Sequence, residues 1–239
     1  MHSAHETTNQ TNLPLYRKSE FFKGLPAEAL ADFERLFAPS AYPSGVIIFS
    51  ETEPCSGIYV VLDGEVKLSI NSADGRRLSF RIAKAGEVLG LSSTISGGAY
   101  EMTADALYPA KIAHVARPAF LEFLSRYPAA YQVVAREMAR TYNTACEQLR
   151  MVGLSMSVPE RLARLLLVWS DEPVADRQPE RQARCRLSLT HEQIGEFIGA
   201  SRETVTRTLT TFKNRRLVAQ QGSMLTIPSR VALESYAHV

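Results

Sequence analysis

Three ionic side chains, Arg202, Glu203 and Arg207, fall close together in the stretch IGEFIGASRETVTRTL, residues 194–209. Each arginine carries a planar fork of donors that can engage guanine O6 and N7, and the glutamate can accept from cytosine N4. If the segment is helical, advancing about 100° per residue from Arg202 puts Val205, Leu209 and Phe212 near roughly 300°, 340° and 280°. Arg202, Thr206, Thr210, Glu203 and Arg207 then cover roughly 0° to 140°. The helix therefore divides into an apolar stripe to bury and an unbroken polar face. Ser201 stands where it can cap that helix, whose first amides would face an anion. A solvated charged face is the competing reading, because Arg-Glu neighbours occur on many helices.

No other constellation points to chemistry. Cys55, Cys146 and Cys185 are widely spaced and odd in number, with no CxxC pair or Cys/His cluster, so neither zinc nor a disulfide framework is expected. His114 and Cys146 could be nominated as haem ligands, but a lone histidine on a strand is most often structural. No nucleophile–base pair or phosphate loop with a lysine supports an enzyme, and no cofactor or metal is expected.

The positioning elements follow from composition and period. The chain has 239 residues, 45% hydrophobic and 22% charged, with a net charge of +2, a globular balance with room for two domains. From Ser155 onward 12 Lys/Arg face 9 Asp/Glu, and residues 202–216 hold five basic residues and one acid, a local surface suited to a polyanion. No apolar run nears the ~20 residues of a membrane span, so no membrane partner is expected. The opening residues lack a secretory signal, and residues 1–19 are expected to be a mobile tail of a cytoplasmic protein.

Residues 42–115 read as strands. GVIIFS, GIYVVLDGEVKLSI and RLSFRIA are rich in Val, Ile, Tyr and Phe and are broken by Asp-Gly turns, as in an antiparallel barrel or sandwich. From about Pro118 the period becomes helical. Tyr131, Val134, Met138, Thr141, Ala145, Gln148 and Val152 follow steps of three and four, a seam for self-association or for packing on the chain's own barrel. Gly153 and Pro159 bracket a hinge at 153–159. An amphipathic helix (160–170), a polar loop to about Arg186, the quoted motif and two short strands around Gly222 complete a winged helix-turn-helix. The expected fold is α+β: a jelly-roll-like antiparallel β-roll (20–127), a long dimerisation helix (128–152), the hinge, and a winged helix-turn-helix DNA-binding domain (160–239).

The segment LTHEQIGEFIGASRETVTRTL closely resembles the helix-turn-helix of the CRP/FNR family of bacterial transcription regulators, and the resemblance spans nearly the whole chain. It implies that Arg202, Glu203 and Arg207 read bases and that Thr190, Ser201 and Thr204 touch phosphates. It also implies a homodimer on palindromic double-stranded DNA with GTG-containing half-sites, seamed through Val134, Met138, Thr141 and Ala145, with RNA polymerase as a partner.

In the sensor half the family pattern breaks. Its cAMP-binding members hold the cyclic phosphate and ribose with Gly-Glu and Arg-Ser pairs. Here Gly90 is followed by Leu91, Glu101 and Met102 stand about where Arg-Ser would be, and Ala145 and Cys146 replace hydroxyl residues that would meet the purine. Burying a phosphate near Glu101 without a cation would cost several kcal/mol, so control by cAMP is not expected. The loop Ser92–Gly98 is open to two readings, a site for another small-molecule effector or a packed connection. Cys146 is open to a thiol-switch reading. A rival function, a ligand-binding module acting on a protein partner, explains the roll but leaves Arg202, Glu203 and Arg207 without purpose.

Overall fold

The computed structural model describes residues 14–153, 157–170, 183–186 (backbone only) and 189–236. The tail up to Leu13, most of the loop after the 160–170 helix and the central hinge residues 154–156 lie outside the described residues. The chain divides into two compact units, one holding the residues up to Ile70 with Arg81–Asn143, the other Asn71–Phe80 with Thr144 onward.

The first unit opens with a 3₁₀ turn (Leu15–Lys18) and two helices, α1 (Glu20–Lys23) and α2 (Ala27–Arg35). Strands β1 (Ala38–Tyr42), β2 (Ile47–Phe49), β3 (Gly57–Asp63), β4 (Glu65–Asn71), β5 (Arg77–Lys84) and β6 (Val88–Leu89) follow. A short helix α3 (Leu91–Ser96) interrupts them before β7 (Thr103–Ala106), β8 (Ala110–Ala116) and α4 (Arg117–Arg126). Two four-stranded sheets result, ordered β1-β8-β3-β6 and β2-β7-β4-β5. The paired strands run antiparallel, with Tyr59 opposite His114 and Lys67 opposite Asp105. This is the β-roll that the strand pattern implies.

The roll's core extends beyond its strands. Phe22, Phe33, Phe120 and Phe123 pack with Ile58, Val60 and Val115, and the Phe33 and Phe123 rings lie 4.9 Å apart. Each such buried side chain is worth about 1.5–3 kcal/mol over its exposed state. The long helix α5 (Ala129–Gly153) contributes Ala130, Val133 and Val134 to this cluster, and Met138 packs against it. Val134 therefore corrects the expected seam: it is 3% exposed and fills the roll's own core. The large apolar side chains that α5 leaves in solvent are Tyr131, Tyr142 and Leu149.

The second unit contains α6 (Val158–Ser170), β9 (Ala183–Arg186), α7 (His191–Ile198), α8 (Arg202–Asn214), β10 (Ala219–Gln221), β11 (Met224–Ile227) and α9 (Arg230–Tyr236). Its sheet is ordered β10-β11-β9, so the wing has a third strand where the sequence reads as loop. Leu162 and Leu166 of α6, Ile194 and Ile198 of α7, Leu209 and Phe212 of α8, and Leu225 and Ile227 of β11 are all almost fully buried.

Candidate nucleic-acid interface

Helix α7 begins with a reciprocal cap. Thr190 Oγ1 accepts from the Gln193 amide at 3.2 Å, and Gln193 Oε1 accepts from the Thr190 amide at 2.9 Å. Two of the helix's orphan donors are thereby satisfied. The helix ends at Gly199, whose φ of 59° lies in the left-handed region that a side chain disfavours. The Ala200 amide then donates back to the Gly195 carbonyl at 3.0 Å. A Cβ on Gly195 would run into the Ala200 carbonyl oxygen, so the tight turn requires glycine at that position. The small residues of this stretch are there to bring the second helix close under the first.

Helix α8 starts on Ser201, whose Oγ accepts from the Thr204 amide at 3.3 Å. Val205, Leu209 and Phe212 are buried, while Arg202, Glu203, Thr206, Arg207 and Thr210 are exposed, as the angular division implies. Thr208 is also buried, and its hydroxyl is satisfied by donating to the Thr204 carbonyl at 2.8 Å. Thr206, Thr210 and Thr211 donate in the same way, to the carbonyls of Arg202, Thr206 and Arg207. Arg207 Nη2 donates to Thr204 Oγ1 at 3.3 Å, which steers one edge of the guanidinium along the helix. The Glu203 amide and the Ser201 side chain hold the Glu203 carboxyl below the usual carboxylate range, so it stays an acceptor near neutrality.

Two of the residues expected at phosphates thus serve first as caps. Thr190 and Ser201 each use an oxygen lone pair on a backbone amide, and the Ser201 hydroxyl also bonds the Glu203 carboxyl. Sequence reasoning passed over His191, the first residue of α7. Its Nδ1 lies 2.7 Å from Thr206 Oγ1, on the polar face of α8. Partial burial, then Lys213 and Arg202, lower the imidazole pKa from its ordinary value.

In the first unit, the residues around α3 are tied to their own scaffold. Leu91 is buried in the core cluster with Ile58, Val60 and Val88. Gly90, the residue before α3, stands against the Tyr100 ring. Glu101 is exposed and accepts from Ser93 Oγ at 2.6 Å, and Arg117 Nε donates to the Thr94 carbonyl at 2.9 Å. The Tyr100 hydroxyl donates to the Gly57 carbonyl at 2.8 Å and accepts from the Ser56 and Gly57 amides. Its ring stacks on Phe49 at 4.3 Å. Met102 is half-buried; Ala145 and Cys146, half-buried on α5, belong to the second unit with Thr144 onward. Thr141 Oγ1 donates to the Glu137 carbonyl at 3.1 Å. A buried Lys67–Asp105 pair, 3.8 Å apart, is a feature of the roll that the sequence did not announce.

Comparison with known proteins agrees with both halves. Residues 39–127 match the cyclic nucleotide-binding domain model, and residues 160–236 match the Crp-like helix-turn-helix domain model. A CRP-like cAMP-activated global transcriptional regulator of Mycobacterium tuberculosis is 26% identical over 214 residues, 88% of this chain and 92% of that protein. The nitrogen fixation regulation protein FixK of Bradyrhizobium diazoefficiens is 27% identical over 217 residues, 90% of this chain and 89% of that protein. The solved structure of FixK2 from Bradyrhizobium japonicum superposes with a TM-score of 0.72 at 21% identity, covering 84% of this chain and 96% of that one. A β-roll followed by a winged helix-turn-helix defines a DNA-binding transcription regulator rather than an enzyme. The chain thus carries, in order, the two domains of a CRP/FNR-type DNA-binding transcription regulator.

Proposed function

We propose that the chain works as a homodimer on a palindromic operator, with Arg202, Glu203 and Arg207 reading base edges and Thr190, Ser201 and Thr204 donating to phosphates. The observation that carries this reading is the divided helix α8: an apolar face locked under α7 and an exposed face of two guanidinium forks flanking an ionised carboxylate. Chemistry of that kind discriminates bases in a major groove. GTG-containing half-sites and RNA polymerase as a partner follow from the family pattern. No described helix is long and apolar enough to cross a membrane, which accords with a cytoplasmic regulator.

The dimer would be seamed on the face of α5 that carries Tyr131, Met138, Tyr142, Ala145 and Leu149, with Thr141 at its border. Tyr142 and Leu149 are 68% and 70% exposed and seven residues apart, the repeat of a two-helix seam. The roll is proposed not to respond to cAMP, although the M. tuberculosis relative is named as cAMP-activated. Leu91 is committed to the apolar core, and Glu101 is an anion bonded to Ser93. Residues 20–127, 128–152, 153–159 and 160–239 would serve as sensor, dimerisation helix, hinge and reading head. Selection from a library of random duplexes tests the function: a two-fold symmetric sequence should be enriched, and failure to enrich any sequence would refute it.

A further inference from the structure

Thr206 Oγ1 has two partners, and together they fix the protonation of a neighbouring ring. The hydroxyl proton goes to the Arg202 carbonyl at 2.9 Å. The oxygen's contact with His191 Nδ1 at 2.7 Å then requires the ring to be the donor. A neutral His191 is therefore the Nδ1–H tautomer, and Nε2 is left as the titrating atom. Thr206 lies on the exposed face of α8 with Arg202 and Arg207, so the ring is bound to the same face that carries the base-reading side chains.

We propose that His191 is a further DNA contact of this helix pair, a phosphate-binding imidazole positioned by Thr206, whose engagement makes duplex binding take up one proton per protomer. The inference rests on the reading of α8 as the DNA-facing helix. As a lone-pair acceptor, neutral Nε2 has nothing to offer a phosphate oxygen; protonated, it is a charge-assisted donor. The groups bearing on the ring from α8 are Arg202 and Lys213, both cations, and Glu192 is the exposed charged neighbour on its own helix. In the free protein partial burial and these cations disfavour the imidazolium, while a phosphate brought alongside favours it. Because the bound protein holds the proton more tightly than the free protein, affinity rises as pH falls from about 8 toward 6. The limiting slope is about one decade per pH unit for each protomer.

The test is fluorescence anisotropy at fixed salt between pH 6 and 8.5, with a selected duplex and a random-sequence duplex as probes. Wild type should bind both more tightly at low pH, since a phosphate contact is independent of sequence. H191Q should lose the pH slope while binding at pH 8.5 like wild type. H191R should bind at pH 8.5 at least as tightly as wild type at pH 6, with no slope. Nitrogen-15 NMR of the free protein should show Nδ1 protonated and Nε2 bare at high pH, a preference weakened in T206V. A slope that survives in H191Q, or wild-type binding that is flat in pH, overturns the proposal alone. Absence of duplex binding by wild type at every pH overturns the reading of α8 and this proposal with it.

Discussion

Tyr100 ties the segment after α3 to the start of β3. Its hydroxyl is bonded on every side by Ser56 and Gly57, and its ring fills the space beside Gly90 and Phe49. Burial pushes the phenol up to about 12. The unfolded value is about 10, so the folded state prefers the neutral form. Its contribution to stability is fully present below pH about 10 and is lost as pH rises through about 12. Tyr100→Phe should lower stability near neutrality by about 1–3 kcal/mol, because the Ser56 and Gly57 amides lose an acceptor and the Gly57 carbonyl loses one of its donors. It should also reduce the alkaline loss of stability, as denaturant melts at pH 7, 9 and 11 would show; an unaltered alkaline limb would contradict this assignment. None of this could be read from the sequence, where Tyr100 is one aromatic in a loop of small residues. Leu91 and Glu101 were legible as departures from the family's ligand-binding pattern. Their actual commitments, one to the apolar core and one to Ser93, needed coordinates.

At the scale of elements, period and turn chemistry carried most of the information. The stripe of Val205, Leu209 and Phe212, the caps at Thr190 and Ser201 and the glycines at 195 and 199 all follow local rules, and α7 and α8 form as those rules require. β9, α3 and α9 are among the described elements that escaped. β9 is short and carries two arginines, so it lacks the β-branched alternation of a strand, and it exists by pairing with β11. α3 lies among serines and glycines, and α9 is a single short segment at the end of the described chain. Val134, expected on the α5 seam, goes to the roll's core for a different reason. Steps of three and four fit two neighbouring stripes of one helix, and sequence cannot say which of them the roll covers. The roll covers Val133 and Val134, which leaves Tyr142 and Leu149 in solvent, on the face proposed above for the dimer. Leu149→Glu should therefore shift the protein toward monomers in sedimentation velocity at micromolar concentration, with weaker operator binding and little change in melting temperature. A Leu149→Glu protein that remains dimeric would move the interface to another face.

For the whole molecule, the two domains match known models while the residues around α3 depart from the cAMP-binding pattern. The two matched domains define the regulator, while the residues around α3 bind one another. A cAMP site with a dissociation constant of ~1 μM would stabilise the fold by about 4 kcal/mol at millimolar ligand. No such rise in melting temperature, and no change in operator affinity, is expected. A saturable calorimetric signal with cAMP, lost on substitution around Gly90 and Glu101, would contradict that expectation. The proposed base reading by α8 is tested most directly by selection from random duplexes carried out in parallel with wild type and Arg207→Ala. Wild type should recover a palindrome whose half-site centres lie about 34 Å apart, one helical turn. The variant should recover the same palindrome with one base pair in each half-site relaxed, a discrimination loss of about 1–3 kcal/mol. Identical sequence preferences for the two proteins, or no preference in either, would contradict the account.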